Sequence, residues 1–292
     1  MNLPTHHSSL ILKQFVIAAP HGNRKMLGDI RYQPDGQAKP VVVFVHGFKG
    51  FKDWGGWDLM MDEIALAGFV VMKANLSHNG TTPEAPLDFA DLEAFGHNNY
   101  SIELDDVGAW LDALETGTTG IDAQEIDLQR LGIIGHSRGG AIVVLKAAED
   151  PRIKAIVAWA PVADLSKRYS QETIDHWEKE GVHYIPNSRT GQQMPMYFQL
   201  IEDFRNNRER LDVPARVKGL TQPLLVVHGD ADPTVPPQDG IQLKEWHPQG
   251  SVLLIAGGDH VFGMRHPRKT DELPPEAMQV ASETAPWLAD CL

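Results

Sequence analysis

Short, continuously apolar segments alternate with amphipathic ones along most of the chain. Apolar, β-branched runs bounded by turn residues predict strands, which we assign to residues 14–19, 26–32, 41–45, 69–74, 128–134, 153–159, 223–227 and 251–255. Apolar positions at helical spacing predict helices at residues 57–67, 99–115, 139–148, 240–246 and 280–288. This alternation predicts an α/β fold, in which a mostly parallel sheet is covered by helices on both faces.

One long segment, residues 162–220, interrupts the alternation. It is too long for a simple connection and too rich in aromatic residues for a disordered linker. We therefore predict a helical insertion over one end of the sheet, in a single domain whose core comprises residues 1–161 and 221–292. Four aromatic residues of the insertion are candidates for lining an apolar substrate pocket, and the alternative for each is packing against the core: Tyr169, Trp177, Tyr197 and Phe198.

The composition is that of an ordinary globular protein with an acidic surface. Among 292 residues, 26 are basic and 39 are acidic, which gives a formal net charge of −13. A negative field of this size repels phosphate backbones and anionic lipids, and no apolar stretch approaches the ~18 residues of a membrane helix. We therefore expect neither a nucleic-acid partner nor a membrane. The N-terminal residues lack the apolar run of a signal peptide, so we expect a cytoplasmic protein.

Cysteine and histidine usage narrows the chemistry further. The chain has one cysteine, Cys291, so an internal disulfide and a cysteine-based metal site are excluded. None of the spacings between aspartate and histidine residues forms a convincing ligand set, so we expect no metal and no other cofactor. The sequence does not indicate an oligomeric state.

The most informative motif lies between a predicted strand and a predicted helix. It reads Gly135-His136-Ser137-Arg138-Gly139. Glycines on either side of the serine allow a sharp turn where a side chain would clash with neighbouring backbone, and the turn lifts the serine hydroxyl clear of the chain. Ser137 is therefore a candidate nucleophile. The alternative is an ordinary strand–turn–helix junction with a capping serine.

A serine hydroxyl is a weak nucleophile, and it needs a base that is in turn oriented by a carboxylate. The ends of two later strands supply both groups. Asp232 follows the strand at residues 223–227, and His260 follows the strand at residues 251–255. We predict that His260 is the base and that Asp232 orients it, in the chain order serine, acid, histidine.

Other residues near these positions have competing interpretations. Asp164, which follows the strand at residues 153–159, is an alternative acid. Asp230 is interpreted as a turn residue whose side chain bonds local amides. We expect His136 to pack beside the nucleophile, and we interpret His266 as a solvated loop histidine.

The negative oxygen that develops during acyl transfer needs two hydrogen-bond donors. The backbone amide of Arg138 follows the nucleophile and begins a helix, and that of Phe48 lies in the loop after the strand at residues 41–45. For that loop, the alternative is a glycine-rich strand exit with solvated lysines, Lys49 and Lys52. The Arg138 side chain is expected to pair with a buried carboxylate, with contact to an anionic substrate as the alternative.

Four separated segments now agree with one another: His46-Gly47-Phe48, the motif around Ser137, Asp232 within Gly-Asp-Ala-Asp-Pro, and His260 within Gly-Gly-Asp-His. Together they resemble the α/β-hydrolase superfamily, and more narrowly bacterial cinnamoyl/feruloyl esterases and dienelactone-hydrolase-like serine esterases. They are also similar to the hydrolase domain of prolyl-oligopeptidase-type peptidases. The resemblance implies an eight-stranded sheet with a cap formed by residues 162–220. The sequence departs from cinnamoyl esterases, which commonly have Gln where this chain has Arg138, and from dienelactone hydrolases, which have Cys where it has Ser137.

The resemblance implies a serine esterase that cleaves small acyl or aromatic-acid esters through an acyl-enzyme. Ser137, His260 and Asp232 would form its catalytic triad, and the Phe48 and Arg138 amides would form its oxyanion hole. The expected partner is a small-molecule ester. Three alternatives remain: a serine peptidase acting on short peptides, a ligand-binding protein on a hydrolase scaffold without catalysis, and a haloperoxidase-like side activity of the same three residues.

Overall fold

A mixed sheet forms the centre of the molecule in the computed structural model, which describes residues 9–292. Its strands, in chain order, are β1 (Ile11–Ala18), β2 (Lys25–Tyr32), β3 (Lys39–Val45), β4 (Val70–Ala74), β5 (Ile126–His136), β6 (Ile153–Trp159), β9 (Leu224–Gly229) and β10 (Ser251–Ile255). Across the sheet, the order is β1-β2-β4-β3-β5-β6-β9-β10. Among the described strands of this sheet, β2 alone runs antiparallel to its neighbours.

Helices cover both faces of the sheet. They are α1 (Trp57–Leu66), α2 (Leu92–Gly96), α3 (Tyr100–Glu115), α4 (Arg138–Glu149), α5 (Gln171–Glu180), α6 (Gln199–Asn206), α7 (Arg208–Leu211), α8 (Val213–Gly219), α9 (Pro237–Trp246) and α10 (Pro275–Cys291). No helix within residues 9–292 has the length and apolar content needed to cross a membrane. The predicted α/β fold is confirmed; the short helix α2 was not predicted.

The continuous apolar runs of the strands are explained by burial on both sides. Along β3, Val43 packs into one hydrophobic cluster, and its neighbours Val42 and Phe44 pack into the other. The first cluster includes Trp110 of α3, and the second includes Trp57 of α1. Since successive strand side chains point to opposite faces, a strand between two helical layers must be apolar at every position.

The chain reverses its direction of winding between β3 and β5. From β3 it continues to β4 on one side, and from β4 it returns to β5 on the other side of β3. In open α/β sheets, the crevice at such a reversal, beyond the carboxyl ends of the strands, is where ligands bind. The loop after β3 and the turn after β5 both lie there.

The insertion at residues 162–220 is a mixture of helices and strands and is not purely helical. After α5 the chain forms an antiparallel hairpin of β7 (Val182–Pro186) and β8 (Gln193–Tyr197) before α6 begins. The helical prediction was therefore wrong for this part. The overlooked sequence signal of a hairpin was Gly191, in the polar stretch between two short runs that contain Tyr184 and Tyr197. In the structure Gly191 has a φ of 73°, in the left-handed region that favours glycine.

Candidate active site

Ser137 occupies a strained turn between β5 and α4. Its φ of 58° and ψ of −118° lie outside the regions that L-residues prefer. The flanking glycines are required by space. A Cβ on Gly135 would lie 2.1 Å from the carbonyl oxygen of Gly139, and a Cβ on Gly139 would lie 2.4 Å from the carbonyl oxygen of Val45. The turn therefore depends on close contact between backbones.

Three side chains from distant parts of the chain meet at this turn. Nε2 of His260 lies 2.9 Å from Oγ of Ser137, and Nδ1 of His260 lies 2.7 Å from Oδ2 of Asp232. An ionised carboxylate can only accept, so Nδ1 must donate to Asp232, which leaves the lone pair of Nε2 facing the hydroxyl. The arrangement can take a proton from the serine.

Two glycines bring together the loop after β9, which carries Asp232 (the aspartate loop), and the loop after β10, which carries His260 (the histidine loop). A Cβ on Gly229 would lie 2.1 Å from the carbonyl oxygen of Gly258, so the two backbones cross in direct contact. The Ala231 amide also donates to the Gly258 carbonyl, at 3.1 Å. This crossing fixes the separation of Asp232 from His260.

The Asp232 carboxylate is held by donors on several sides. Its Oδ1 accepts from the amides of Thr234 at 2.7 Å and Val235 at 3.0 Å. Burial by itself raises the pKa of Asp232, but hydrogen bonds from His228, His260 and the Val235 amide lower it well below its ordinary value. Asp232 is therefore ionised at neutral pH.

His228, at the end of β9, was missed by the sequence analysis. Its side chain is fully buried, and its Nε2 lies 3.0 Å from the Val235 carbonyl and 3.3 Å from Oδ2 of Asp232. An N–H group at Nε2 of His228 therefore stabilises the Asp232 carboxylate. The signal that could have found it is the position of His228 at the end of a buried apolar strand, four residues before Asp232.

The other candidate carboxylates lie elsewhere. Asp230 accepts from the Gly257 amide at 2.7 Å, so it stabilises the loop as predicted. Asp164 accepts from the amide and hydroxyl of Ser166 and pairs with Lys167. The structure thus places Asp232, and not Asp164, beside His260.

His136 packs beside the site, as expected. Its ring lies 4.7 Å from the ring of Trp57 and 4.9 Å from that of His260, centroid to centroid. Burial lowers the pKa of His136 to about 3, so the ring is neutral at pH 7. Its Nε2 lies 2.8 Å from the His260 carbonyl oxygen, where an N–H at that position holds the backbone of the histidine loop.

The loop after β3 passes directly over the serine. A Cβ on Gly47 would lie 3.0 Å from Cβ of Ser137, so the neighbouring Phe48 amide is carried by a segment in contact with the nucleophile. Arg138 is the first residue of α4, where backbone N–H groups have no partner within the helix. Both segments that carry the predicted donors therefore border Ser137.

The Arg138 side chain is buried and turned away from solvent. Its Nη1 lies 3.3 Å from Oε1 of Glu103, and its guanidinium carbon lies 3.8 Å from the centre of the Phe48 ring. The expected pairing with a buried carboxylate is confirmed. Arg138 also connects α4 to the loop that carries the Phe48 amide.

Lys52 is buried and paired, which excludes the alternative of a solvated lysine at this position. Its Nζ lies 2.5 Å from Oδ2 of Asp29 and 2.5 Å from Oδ2 of Asp53, and Lys73 pairs with the same two carboxylates. Burial alone lowers the pKa of Lys52, but the carboxylates of Asp29 and Asp53 hold it above its ordinary value. This network anchors the far end of the loop after β3 to the sheet.

A cavity of about 470 Å³ opens above Ser137. Its core side is aromatic and is lined by Phe48, Phe51, Trp54, Trp57 and Phe89. Its insertion side is polar and cationic and is lined by Arg168, Asn187, Ser188 and Arg189, with Lys49 adjoining from the loop after β3. The cavity combines a flat apolar wall with a polar one.

The four aromatic residues predicted to build a pocket do not line this cavity. Trp177 is fully buried, and its ring centroid lies 5.3 Å from that of Tyr169 and 6.3 Å from that of Phe198. The Tyr197 hydroxyl donates to Glu93 of α2 at 2.7 Å. The structure corrects the prediction: these residues pack the insertion internally and onto the core.

His266 lines the cavity, so its interpretation as a solvated loop histidine was wrong. Its ring lies 5.0 Å from the ring of Phe51 and 5.9 Å from that of Trp54, and its Nδ1 accepts from the Gly55 amide at 3.1 Å. The histidine extends the aromatic wall. Among residues 9–292, no three His, Cys, Asp or Glu side chains are grouped so as to hold a metal ion.

The strand order, the sharp turn at Ser137 and its hydrogen bond to His260 define an α/β-hydrolase. The chain belongs to the prolyl oligopeptidase family, whose family model matches residues 64–246. It is accordingly a serine hydrolase, and the predicted resemblance to the α/β-hydrolase superfamily is confirmed. No curated protein matches the chain in sequence.

Solved structures with this fold include both esterases and peptidases. Est1E from Butyrivibrio proteoclasticus is 16% identical over 95% of this chain and 98% of its own, with a TM-score of 0.68. A dienelactone hydrolase from Anabaena variabilis is 18% identical over 96% and 99%, with a TM-score of 0.63. A puromycin-hydrolysing peptidase of Mycobacterium tuberculosis is 19% identical over 100% of this chain and 41% of its own, with a TM-score of 0.66. At these identities, the likeness concerns the fold alone.

Proposed function

We propose that the protein is a carboxylic-ester hydrolase in which Ser137 is the nucleophile, His260 the general base and Asp232 the residue that orients it. The observation that carries the proposal is the continuous chain of hydrogen bonds from Ser137 Oγ through His260 to Asp232, at 2.9 Å and 2.7 Å. Ser137 and His260 line a cavity that is large enough for a small ester.

In the first half of the reaction, Ser137 Oγ attacks the ester carbonyl carbon as Nε2 of His260 takes the hydroxyl proton. The Phe48 and Arg138 amides donate to the negative oxygen of the tetrahedral intermediate. The intermediate collapses, the carbon–oxygen bond to the alcohol breaks, and the alcohol leaves with the proton from His260. The acyl group remains bonded to Ser137.

In the second half, His260 takes a proton from a water molecule that attacks the acyl carbon. The second tetrahedral intermediate is held by the same two amides. Its collapse breaks the bond to Ser137, which regains a proton from His260, and the carboxylic acid is released. Asp232, ionised throughout, stabilises the charged imidazole in both halves.

The aromatic wall favours esters with a flat apolar group. Phe51, Trp54 and His266 form adjoining rings along one side of the cavity. A structure of Est1E contains bound ferulic acid, which is an aromatic acid. We therefore include esters of aromatic acids, next to small acyl esters, in the proposed substrate class.

Peptide hydrolysis is the second candidate, since the family model is that of prolyl oligopeptidases. A peptide that is bound by its free N-terminus presents an ammonium group, which needs a carboxylate or carbonyl partner. Among the described residues that line the cavity, there is no Asp or Glu, and three are Lys or Arg. This charge pattern favours esters over short peptides with a free amino terminus.

The test compares 4-nitrophenyl butyrate with an aminoacyl 4-nitroanilide, using wild-type protein and Ser137→Ala. We expect ester hydrolysis by the wild type, and a loss of kcat of about 10⁵-fold or more in Ser137→Ala, with an unchanged circular dichroism spectrum. Activity close to wild type in the variant would refute the role of Ser137. Faster release from the anilide than from the ester would favour the peptidase.

A further inference from the structure

The cavity above Ser137 has a concentration of positive charge that the rest of the protein does not explain. The chain has a formal net charge of −13, yet Lys49, Arg168 and Arg189 all line this one cavity. They come from three separate segments: the loop after β3, the loop after β6, and the turn between β7 and β8. No Asp or Glu is among the described residues that line it.

These cations are weakly engaged by the protein. In the described part of the chain, the Arg168 side chain has no hydrogen-bond or ion-pair partner. Within residues 9–292, Lys49 donates only to the Pro186 carbonyl oxygen, at 3.4 Å. Arg189 makes three long contacts of 3.4 Å: Nη1 and Nη2 both reach Oδ1 of the exposed Asp88, and Nη2 also reaches the Leu87 carbonyl oxygen. The positive charges therefore exceed the carboxylates available to pair with them.

A buried donor lies on the same wall. Asn187 is 8% exposed, and its Oδ1 accepts from the Arg189 amide at 3.2 Å. Its Nδ2 has no hydrogen-bond partner among residues 9–292. A buried donor without an acceptor is costly unless a ligand supplies one, and an oxygen-rich group would do so.

We propose that this cavity selects esters that carry a negatively charged group, a carboxylate or a phosphate, which binds at the insertion wall beside Arg168, Asn187 and Arg189. The proposal rests on the ester hydrolysis proposed above and names its substrate class. The aromatic wall holds the apolar part of the molecule. The cations attract the charged end against the repulsion of the acidic surface.

The test uses two matched pairs of esters. The first pair is 4-nitrophenyl hydrogen glutarate and its methyl ester, which place the charge on the acyl side. The second pair is 3-carboxyphenyl butyrate and its methyl ester, which place it on the alcohol side. Each kcat/KM is divided by the rate of the same ester with imidazole in solution, which removes differences in intrinsic reactivity.

At about 20 mM salt, we expect the anionic member of at least one pair to be preferred by about 10-fold or more. Arg168→Gln and Arg189→Gln should each reduce that preference by about threefold to tenfold, and 200 mM salt should reduce it in the wild type. Lys167→Gln is the matched control. It removes the same charge at the residue next to Arg168, and the Lys167 side chain is 73% exposed and does not line the cavity. It should leave the preference unchanged.

A preference below about threefold in both pairs, or one that falls equally in Lys167→Gln, would overturn the proposal while leaving ester hydrolysis intact. If no ester is hydrolysed, a binding measurement distinguishes failure of the proposed ester hydrolysis from failure of the proposed anion selection. Ketone analogues of the same pairs, with CH₂ in place of the ester oxygen, are titrated against the intrinsic tryptophan fluorescence, to which Trp54 and Trp57 in the cavity wall contribute. Tighter binding of the anionic ketone supports anion selection without hydrolysis, and equal binding refutes it.

Discussion

The two walls of the cavity above Ser137 are built in different ways. The core wall consists of loops that follow β3, β4, β5, β9 and β10; its backbones touch, and the side chains of Ser137, His260 and Asp232 are at least half-buried and hydrogen-bonded to one another. Apart from the buried Asn187, the insertion wall consists of exposed side chains on a hairpin turn and on the loop after β6. For the proposed ester hydrolysis, we therefore expect reactivity to depend on geometry fixed by the sheet, and substrate choice to depend on side chains that can change without disturbing the fold.

The largest expected difference between the walls concerns the two carboxylates that the sequence offered as the acid. Asp232→Asn replaces the acceptor at Nδ1 of His260 with an amide that can donate, so it favours the wrong tautomer. We expect kcat for 4-nitrophenyl butyrate to fall by about 10⁴-fold.

Asp164→Asn in the insertion is the matched control, because an amide oxygen can still accept from the Ser166 amide. Its kcat/KM should stay within about twofold of wild type, since surface changes away from the site have small effects. Equal losses of activity in Asp232→Asn and Asp164→Asn would contradict the assignment of reactivity to the core wall.

The second comparison concerns two glycines. In Gly135→Ala, the new Cβ would lie 2.1 Å from the Gly139 carbonyl oxygen, and backbone on both sides cannot yield. We expect the free energy of unfolding to fall by about 3 kcal/mol, measured by urea denaturation.

Gly219→Ala, at the end of α8, provides the counterpart in the insertion. No atom lies within 4 Å of the new Cβ, so we expect stability to be unchanged or raised by about 0.5 kcal/mol. A Gly135→Ala protein as stable as wild type would show that the strained turn does not depend on this contact.

The smallest expected difference concerns pH. Burial lowers the pKa of His136 to about 3, below the ~6.5 of an unfolded chain. Between these two pKa values, His136 is protonated in the unfolded state and neutral in the native state. Its contribution to the free energy of unfolding is therefore present above pH ~6.5 and is lost as pH falls toward 3. Between pH 7 and pH 5, the loss is about 2 kcal/mol.

His136→Gln should remove this part of the pH dependence, as measured by urea denaturation at pH 7, 6 and 5. His176→Gln, on the exposed side of α5 in the insertion, should leave the dependence as in the wild type. If His136→Gln does not fold, His46→Gln provides the same measurement, since burial lowers the pKa of His46 to about 4. Identical pH profiles in the core variant and the wild type would contradict the assignment.

The difference between the walls also explains which sequence predictions succeeded. The strands Ile153–Trp159 and Ser251–Ile255 were predicted with the bounds that the structure has, because apolar, β-branched runs in this chain are strands of the central sheet. Within the insertion, the helices α5 to α8 agree with the helical prediction and the hairpin of β7 and β8 does not, since aromatic residues such as Tyr184 and Tyr197 indicate packing but do not specify the element that carries them. His266 was misread because its local sequence is polar, and only distant residues such as Phe51 and Trp54 cover its ring.

The sequence by itself determined the alternation of strands and helices, the strained serine turn and the chain order of serine, aspartate and histidine. These features follow from local rules: side-chain periodicity, and the need for glycine where backbones cross. Only the tertiary structure decided that Asp232 and not Asp164 reaches His260, that His228 supports it, and that cations from three segments line one cavity. Such outcomes depend on contacts between residues far apart in the chain, whose distances no local pattern contains.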